Sequence, residues 1–187
     1  SDLTLTIDLN IQTIVEKYLK QAVEENNCER GGNVIVMNPK NGDILGMACY
    51  PDYNLNDPFT PNETLAKTYD SLTPEQKSEK IQEMWKNKSV SDLYEPGSTF
   101  KVITSAIALE ESITTPDVNG EFLCTGYEHV GDRDIACWRS YNPHGYQSLI
   151  QALGNSCNPA FMQLGKRIGA PTLYKYYNAF GLFDKTG

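Results

Sequence analysis

Apolar residues at Ile11, Ile14, Val15, Tyr18, Leu19, Ala22 and Val23 recur at steps of three and four, the spacing that gathers them on one face of a helix. Two short apolar runs follow, residues 34–37 and 44–48, separated by Asn38-Pro39-Lys40-Asn41-Gly42-Asp43, whose residue types form turns. Together they predict a helix packed on an antiparallel hairpin. From residue 54 to 87 the chain is polar and is broken by Pro58, Pro61 and Pro74. Within it Thr73-Pro74-Glu75-Gln76 has the form of a capping box, which predicts a helix carrying Ile81 and Trp85 toward the core. Glu75, Lys77, Glu79 and Lys80 are then its solvated face. Residues 102–109 are apolar enough for a helix inside a domain, and residues 122–138 read as a hairpin around Val130-Gly131. Two more helices are expected, one opened at Asn158-Pro159 and closed by Gly169, the other opened at Pro171 and closed by Gly181.

Composition narrows the picture. With 187 residues, 40% of them hydrophobic, the chain can bury a core, and residues 1–187 read as one domain or most of one. A net charge of -8 and the lack of a basic patch interleaved with aromatics argue against a nucleic-acid partner. No apolar run approaches the length of a membrane span, and no signal peptide is present.

Candidate chemistry centres on Ser98 and Lys101. Three residues apart at a helix start, hydroxyl and amine share a face within hydrogen-bonding reach. A serine becomes a useful nucleophile when a neighbouring base takes its proton, and burial can hold a lysine neutral for that role. Pro96 and Gly97 disfavour helix upstream, which leaves the Ser98 N–H free to polarise an acyl oxygen. The plainer alternative is a serine cap with a lysine snorkelling to solvent. A second cluster, Ser156-Cys157-Asn158, offers a proton donor for a leaving amine and a side chain to orient an amide. Asn158 before Pro159 is equally a good helix cap, and a capping loop is a rigid mount for a catalytic serine.

The run Asp92-Leu93-Tyr94-Glu95-Pro96-Gly97-Ser98-Thr99-Phe100-Lys101 resembles the nucleophile motif of the penicillin-binding protein transpeptidases. Ser156-Cys157-Asn158, with 148–153 before it and Pro159-Ala160-Phe161 after it, is similar to that family's Ser-x-Asn motif, and 3–8 and 32–47 look like the entry to the same domain. The resemblance implies an α+β fold, an antiparallel sheet flanked by helices as in penicillin-binding proteins and serine β-lactamases. It implies a peptidoglycan D,D-transpeptidase of the class B type, with Ser98 as nucleophile, Lys101 as base, Ser156 as proton relay and Asn158 as amide binder. Stem peptides ending in D-Ala-D-Ala and β-lactams would be its ligands, other cell-wall synthesis proteins its partners, and no cofactor would be needed for catalysis. Relatives work outside the bacterial cytoplasmic membrane on an N-terminal helical anchor, which is then expected upstream of Ser1. A serine β-lactamase and a non-catalytic β-lactam sensor domain remain as alternatives.

The family completes its site with a Lys-Thr-Gly triplet on a strand, and the chain ends in Asp184-Lys185-Thr186-Gly187. That match is rejected, because the triplet follows the helix expected at 171–180 and reads as a surface loop. By the resemblance, the family's third motif is then expected beyond the given sequence.

Five cysteines remain, Cys28, Cys49, Cys124, Cys137 and Cys157. A two-residue turn at Val130-Gly131 would set Cys124 directly opposite Cys137. A cross-strand disulfide, simple packing and a structural zinc site all fit. For zinc, the expected ligands are Cys124, Cys137 and His144 with Asp134 as the fourth, Asp132 and His129 being the alternatives to Asp134. Alternation along the strand aims Asp134 at the opposite face from its neighbours and speaks against it. Some relatives carry similar cysteines and a His-Gly in this region, which leaves the three accounts open.

Overall fold

The computed structural model describes residues 2–185, in two compact units, Ser1–Tyr94 and Glu95–Gly187. In the first unit, helix α1 (Leu9–Glu25) starts where the Asp8 carboxylate accepts the N–H groups of Asn10 and Ile11. Strands β1 (Gly32–Met37) and β2 (Ile44–Tyr50) pair antiparallel, the hairpin expected from the two apolar runs, with Val34 opposite Ala48. Leu19 and Val23 of α1 pack against Ala48, which is the expected helix on a hairpin. The approach is close. A Cβ at Gly46 would lie 3.1 Å from Ile11 Cγ2, and the Gln12 carboxamide both donates to and accepts from the Met47 backbone, at 2.9 and 2.8 Å.

Helix α2 (Glu63–Tyr69), capped by Asn62, is absent from the sequence reading. Helix α3 (Pro74–Met84) opens on the predicted capping box and buries Ile81. Trp85 departs from expectation: it stays 37% exposed, its indole donates to the Pro58 carbonyl at 2.7 Å, and its ring meets Phe59 edge-on. A polar N–H needs an acceptor, and the loop carbonyl is outside the core. A short helix α4 (Lys88–Ser91) follows.

The second unit begins with a 3-10 turn (Gly97–Phe100) running into α5 (Lys101–Glu110). Strands β3 (Phe122–Cys124), β4 (Tyr127–Val130), β5 (Arg133–Ala136) and β6 (Gly145–Gln147) come next, then α6 (Leu149–Gly154), α7 (Asn158–Ile168) and α8 (Ala170–Ala179). Strand β4 pairs with β5 and β3 with β6, all antiparallel. Ile107, Ala108, Phe122, Leu149, Ala152, Ala160 and Leu164 form the core, with Cys124, Cys137 and Cys157 among them.

The hairpin is found, with a different register. Val130 faces Arg133, so the two-residue turn is Gly131-Asp132 rather than Val130-Gly131. Such turns need a positive φ at their first central position, and Gly131, at φ +64°, supplies it without strain. Gly126, at φ +101°, breaks the chain between Cys124 and Tyr127, and Cys124 pairs with Gly145 instead of Cys137. Beyond α8, Asp184 lies in a bend and Lys185 is exposed and outside any strand, in keeping with a surface loop. Thr186 and Gly187 lie outside the described residues. Among the described residues no helix is long and apolar enough to cross a membrane.

Candidate active site

Ser98 stands in the 3-10 turn and Lys101 is the first residue of α5, so one turn of backbone carries both. Gly97, at φ +57°, makes the entry, and the Ser98 N–H lies in the first turn, where no helical acceptor exists for it. Lys101 is half-buried rather than snorkelling. Its Nζ lies 3.2 Å from Ser98 Oγ, 3.0 Å from Ser156 Oγ, and 2.8 Å from both the Ser156 carbonyl and Asn158 Oδ1. Ser156 Oγ in turn donates to Ser98 Oγ at 2.8 Å. The four predicted residues therefore meet at one amine.

Burial lowers the Lys101 pKa below its usual value, against the pull of Cys157 and Cys137, whose thiolate forms would raise it. In its neutral form the amine can give its two hydrogens to the carbonyl oxygens of Ser156 and Asn158 and keep a lone pair for a hydroxyl.

Ser156 owes its position to the end of α6. Its N–H bonds the Leu153 carbonyl at 3.0 Å and that of Cys157 bonds Ala152 at 2.9 Å, the pairing of a Schellman cap. The cap requires a left-handed residue, normally glycine, and here it is Ser156 at φ +50°. A strained backbone thus coincides with a side chain expected in the site. The Trp138 indole holds the Asn155 carbonyl at 2.8 Å. Asn158 is not the cap that its Pro159 neighbour suggests. The cap position of α7 is Cys157, with no side-chain cap bond, and the Asn158 oxygen is given to Lys101 instead.

Cys124, Cys137, His144 and Cys157 bring their donor atoms within 4.8 Å of one another. Three of the four are buried and His144 is half-buried. This corrects the expected ligand set. Asp134 is cross-strand from His129, and its carboxylate bonds the His129 Nδ1 at 2.8 Å out in solvent. The fourth donor of the cluster is instead Cys157, between Ser156 and Asn158. Burial pushes the Cys157 thiol up to about 11, while the Ala160 N–H and Gln147 pull it down. Burial would also raise Cys124, yet the N–H groups of His144 and Gly126, with the neighbouring thiols, hold it below its usual value. Burial, aided by the Arg139 charge, lowers His144 and keeps its imidazole neutral. All five cysteine sulfurs are free.

Sequence reasoning gave no role to Trp138 or Gln147 beside the Ser156 turn. Their signal, polar tips on otherwise buried or aromatic positions, is visible only once the turn is located. The position of Cys157 inside the Ser-x-Asn motif puts it close to the site from sequence alone, though not among the expected metal ligands.

A Ser-x-x-Lys at a helix start whose lysine also meets a Ser-x-Asn turn brings together the groups that serine acyl transfer needs. Residues 32–187 match the family model described as penicillin binding protein transpeptidase domain, and the chain belongs to that family. The stage V sporulation protein D of Bacillus subtilis is 38% identical over 100% of this chain and 26% of its own length. The peptidoglycan D,D-transpeptidase FtsI homolog of Chlorokybus atmophyticus is 36% identical over 92% of this chain and 23% of its own. The chain thus spans about a quarter of the length of these relatives. Among solved structures, an imipenem acyl-enzyme complex of penicillin-binding protein A from M. tuberculosis superposes with a TM-score of 0.71 at 29% identity, covering 94% of this chain and 39% of that one. The α+β class expected from the sequence is that of this family.

Proposed function

We propose that the chain is the nucleophile-bearing part of a peptidoglycan D,D-transpeptidase that joins stem peptides ending in D-Ala-D-Ala. The observation that carries the reading is the meeting of Ser98, Ser156 and Asn158 on the Lys101 amine. Ser98 Oγ attacks the carbonyl carbon of the penultimate D-alanine as its proton passes to neutral Lys101. The Ser98 N–H faces the developing oxyanion. As the C–N bond breaks, Ser156 hands a proton to the departing D-alanine amine and is reprotonated from Lys101. The acyl group is left as an ester on Ser98. An amine from a second stem peptide then attacks that ester, its proton leaves by the same relay, and Ser98 regains its own. Asn158 orients the substrate amide through its Nδ2, whose one contact is a long 3.5 Å approach to the Ala136 carbonyl. β-Lactams acylate the same serine through their strained amide. The reaction takes place on the outer face of the cytoplasmic membrane, with an N-terminal helix as anchor and other cell-wall synthesis proteins as partners.

Zinc is the metal that the cysteine cluster fits. Three thiolates and one neutral imidazole are a soft donor set that zinc favours, and the convergence of four buried or half-buried donors suits a closed tetrahedral site. His144 turns Nδ1 toward Cys137 Sγ at 3.5 Å, while its Nε2 is buried without a partner. Cys124, Cys137, Cys157 and His144 Nδ1 would hold the ion. When bound it supplies charge neutralisation and a cross-link, with no open position for substrate. Cys157 carries that cross-link into the turn that presents Ser156.

The test is a cross-linking assay on the full natural protein with stem peptides of peptidoglycan. Formation of cross-linked dimer with release of D-alanine is expected. Acylation by penicillin without any peptide product would make the protein a sensor, and rapid release of hydrolysed penicillin would make it a β-lactamase.

A further inference from the structure

Gln147 closes strand β6 and is only 2% exposed. Burying a carboxamide is unfavourable unless its atoms are bonded. Its Oε1 accepts from the Asn155 side chain at 2.8 Å. Its Nε2 is buried without a hydrogen-bond partner. A methionine would fill similar space without leaving an amide half-satisfied, a defect that costs about 1–3 kcal/mol. Stability alone gives no reason for glutamine here.

The residue it reaches, Asn155, immediately precedes Ser156. We infer that Gln147 is a positioning residue for the proton relay: its buried carboxamide oxygen holds the Asn155 side chain and so fixes the left-handed turn that begins beside it. The inference rests on the acyl-transfer reading above. Ser156 needs such a grip because its backbone, at φ +50°, sits where a serine is strained. Its hydroxyl must also stay 2.8 Å from Ser98 Oγ and 3.0 Å from Lys101 Nζ. A shift of Asn155 moves that hydroxyl out of range, and small misplacements are amplified in rate.

The test uses the full natural protein with Gln147→Met, which keeps the volume and removes the contact to Asn155, and Gln147→Glu, which keeps an acceptor for Asn155. Acylation by a fluorescent penicillin is resolved into non-covalent affinity and the rate of the covalent step. Gln147→Met is expected to slow the covalent step by about 10-fold or more with affinity within about 2-fold and no loss of melting temperature. Gln147→Glu should recover part of the rate, and adding Asn155→Ala to Gln147→Met should slow it no further. Hydrogen exchange is the second readout. The Ser156 and Cys157 amides, bonded to Leu153 and Ala152, should exchange about 10-fold faster in Gln147→Met, while that of Leu164 in α7 is unchanged. A wild-type covalent rate in Gln147→Met, or losses shared equally by affinity, rate and melting temperature, overturns the inference. If the wild type is not acylated at all, the acyl-transfer reading falls, and unchanged Ser156 and Cys157 exchange would separately show that Gln147 does not hold the turn.

Discussion

Ser156 donates a hydrogen bond to Ser98 across 2.8 Å, although 58 residues separate them. Lys101 Nζ closes the triangle at 3.0 and 3.2 Å, so the proposed nucleophile, base and proton relay are in mutual contact. A proton can travel from nucleophile to leaving group without any side chain moving. Preorganisation of this kind lowers the barrier by removing reorientation from the reaction step.

Lys101→Met should therefore slow acylation by about 10²–10⁴. The pH profile gives the sharper view. Burial lowers the lysine pKa, so the neutral, basic form grows in at a pH below that of an ordinary lysine, and the acylation rate should rise with pH through that region. The sign for folding follows: the unfolded chain binds the proton more tightly, so this group's contribution to stability increases as pH rises through its folded pKa. A rising limb that survives in Lys101→Met would assign the titration to another group.

Ser156→Gly and Ser156→Ala both remove the relay hydroxyl, and both should slow acylation. Their stabilities should separate in the order opposite to that inside a helix. At φ +50° the glycine variant should be the more stable by roughly 1 kcal/mol, measured by denaturant unfolding. Equal stabilities would mean that the turn relaxes once the hydroxyl is gone.

The site was legible in the sequence to the extent that its chemistry is local. Ser98 and Lys101 lie one turn apart, and Ser156 and Asn158 share a loop, so spacing alone put each pair together. The meeting of the pairs came from resemblance, since nothing in local patterning joins residues 55 apart. The cysteine cluster shows the limit. Counting from a turn at Val130-Gly131 placed Cys124 opposite Cys137, but glycine at the first turn position moves the register by one, and Gly126 takes Cys124 out of the hairpin. Cys124 and Cys137 still converge, through the packing of β3, β6 and α7. That same packing brings in Cys157 and leaves Asp134 with His129 in solvent. Trp85 went astray for a related reason: helical spacing says which face a residue takes, not which carbonyl its indole will find.

Protein purified without added metal should contain close to one equivalent of zinc by elemental analysis. Chelation should slow acylation while leaving Ser98 reactive, since the cluster holds the Ser156 turn and not the nucleophile. Cys157→Ser should weaken metal retention more than Asp134→Asn, which should leave it unchanged. Less than roughly a tenth of an equivalent, with a disulfide among these cysteines in the mass spectrum, would favour the cross-link account instead.

Helix α6 offers a control away from the reaction. Ser148 caps it, accepting the Gln151 N–H at 3.3 Å while the Gln151 side chain accepts the Ser148 N–H at 2.9 Å. Ser148→Ala should lower stability by about 1 kcal/mol. The covalent rate with a fluorescent penicillin should remain near wild type under conditions where the variant is fully folded.

Mass spectrometry of the full natural protein after incubation with a penicillin tests the central claim most directly. The account predicts one covalent adduct of the intact drug, mapped by peptide fragmentation to the Ser98 hydroxyl and abolished in Ser98→Ala. An adduct located on another residue, or one that persists at full yield in Ser98→Ala, would contradict it.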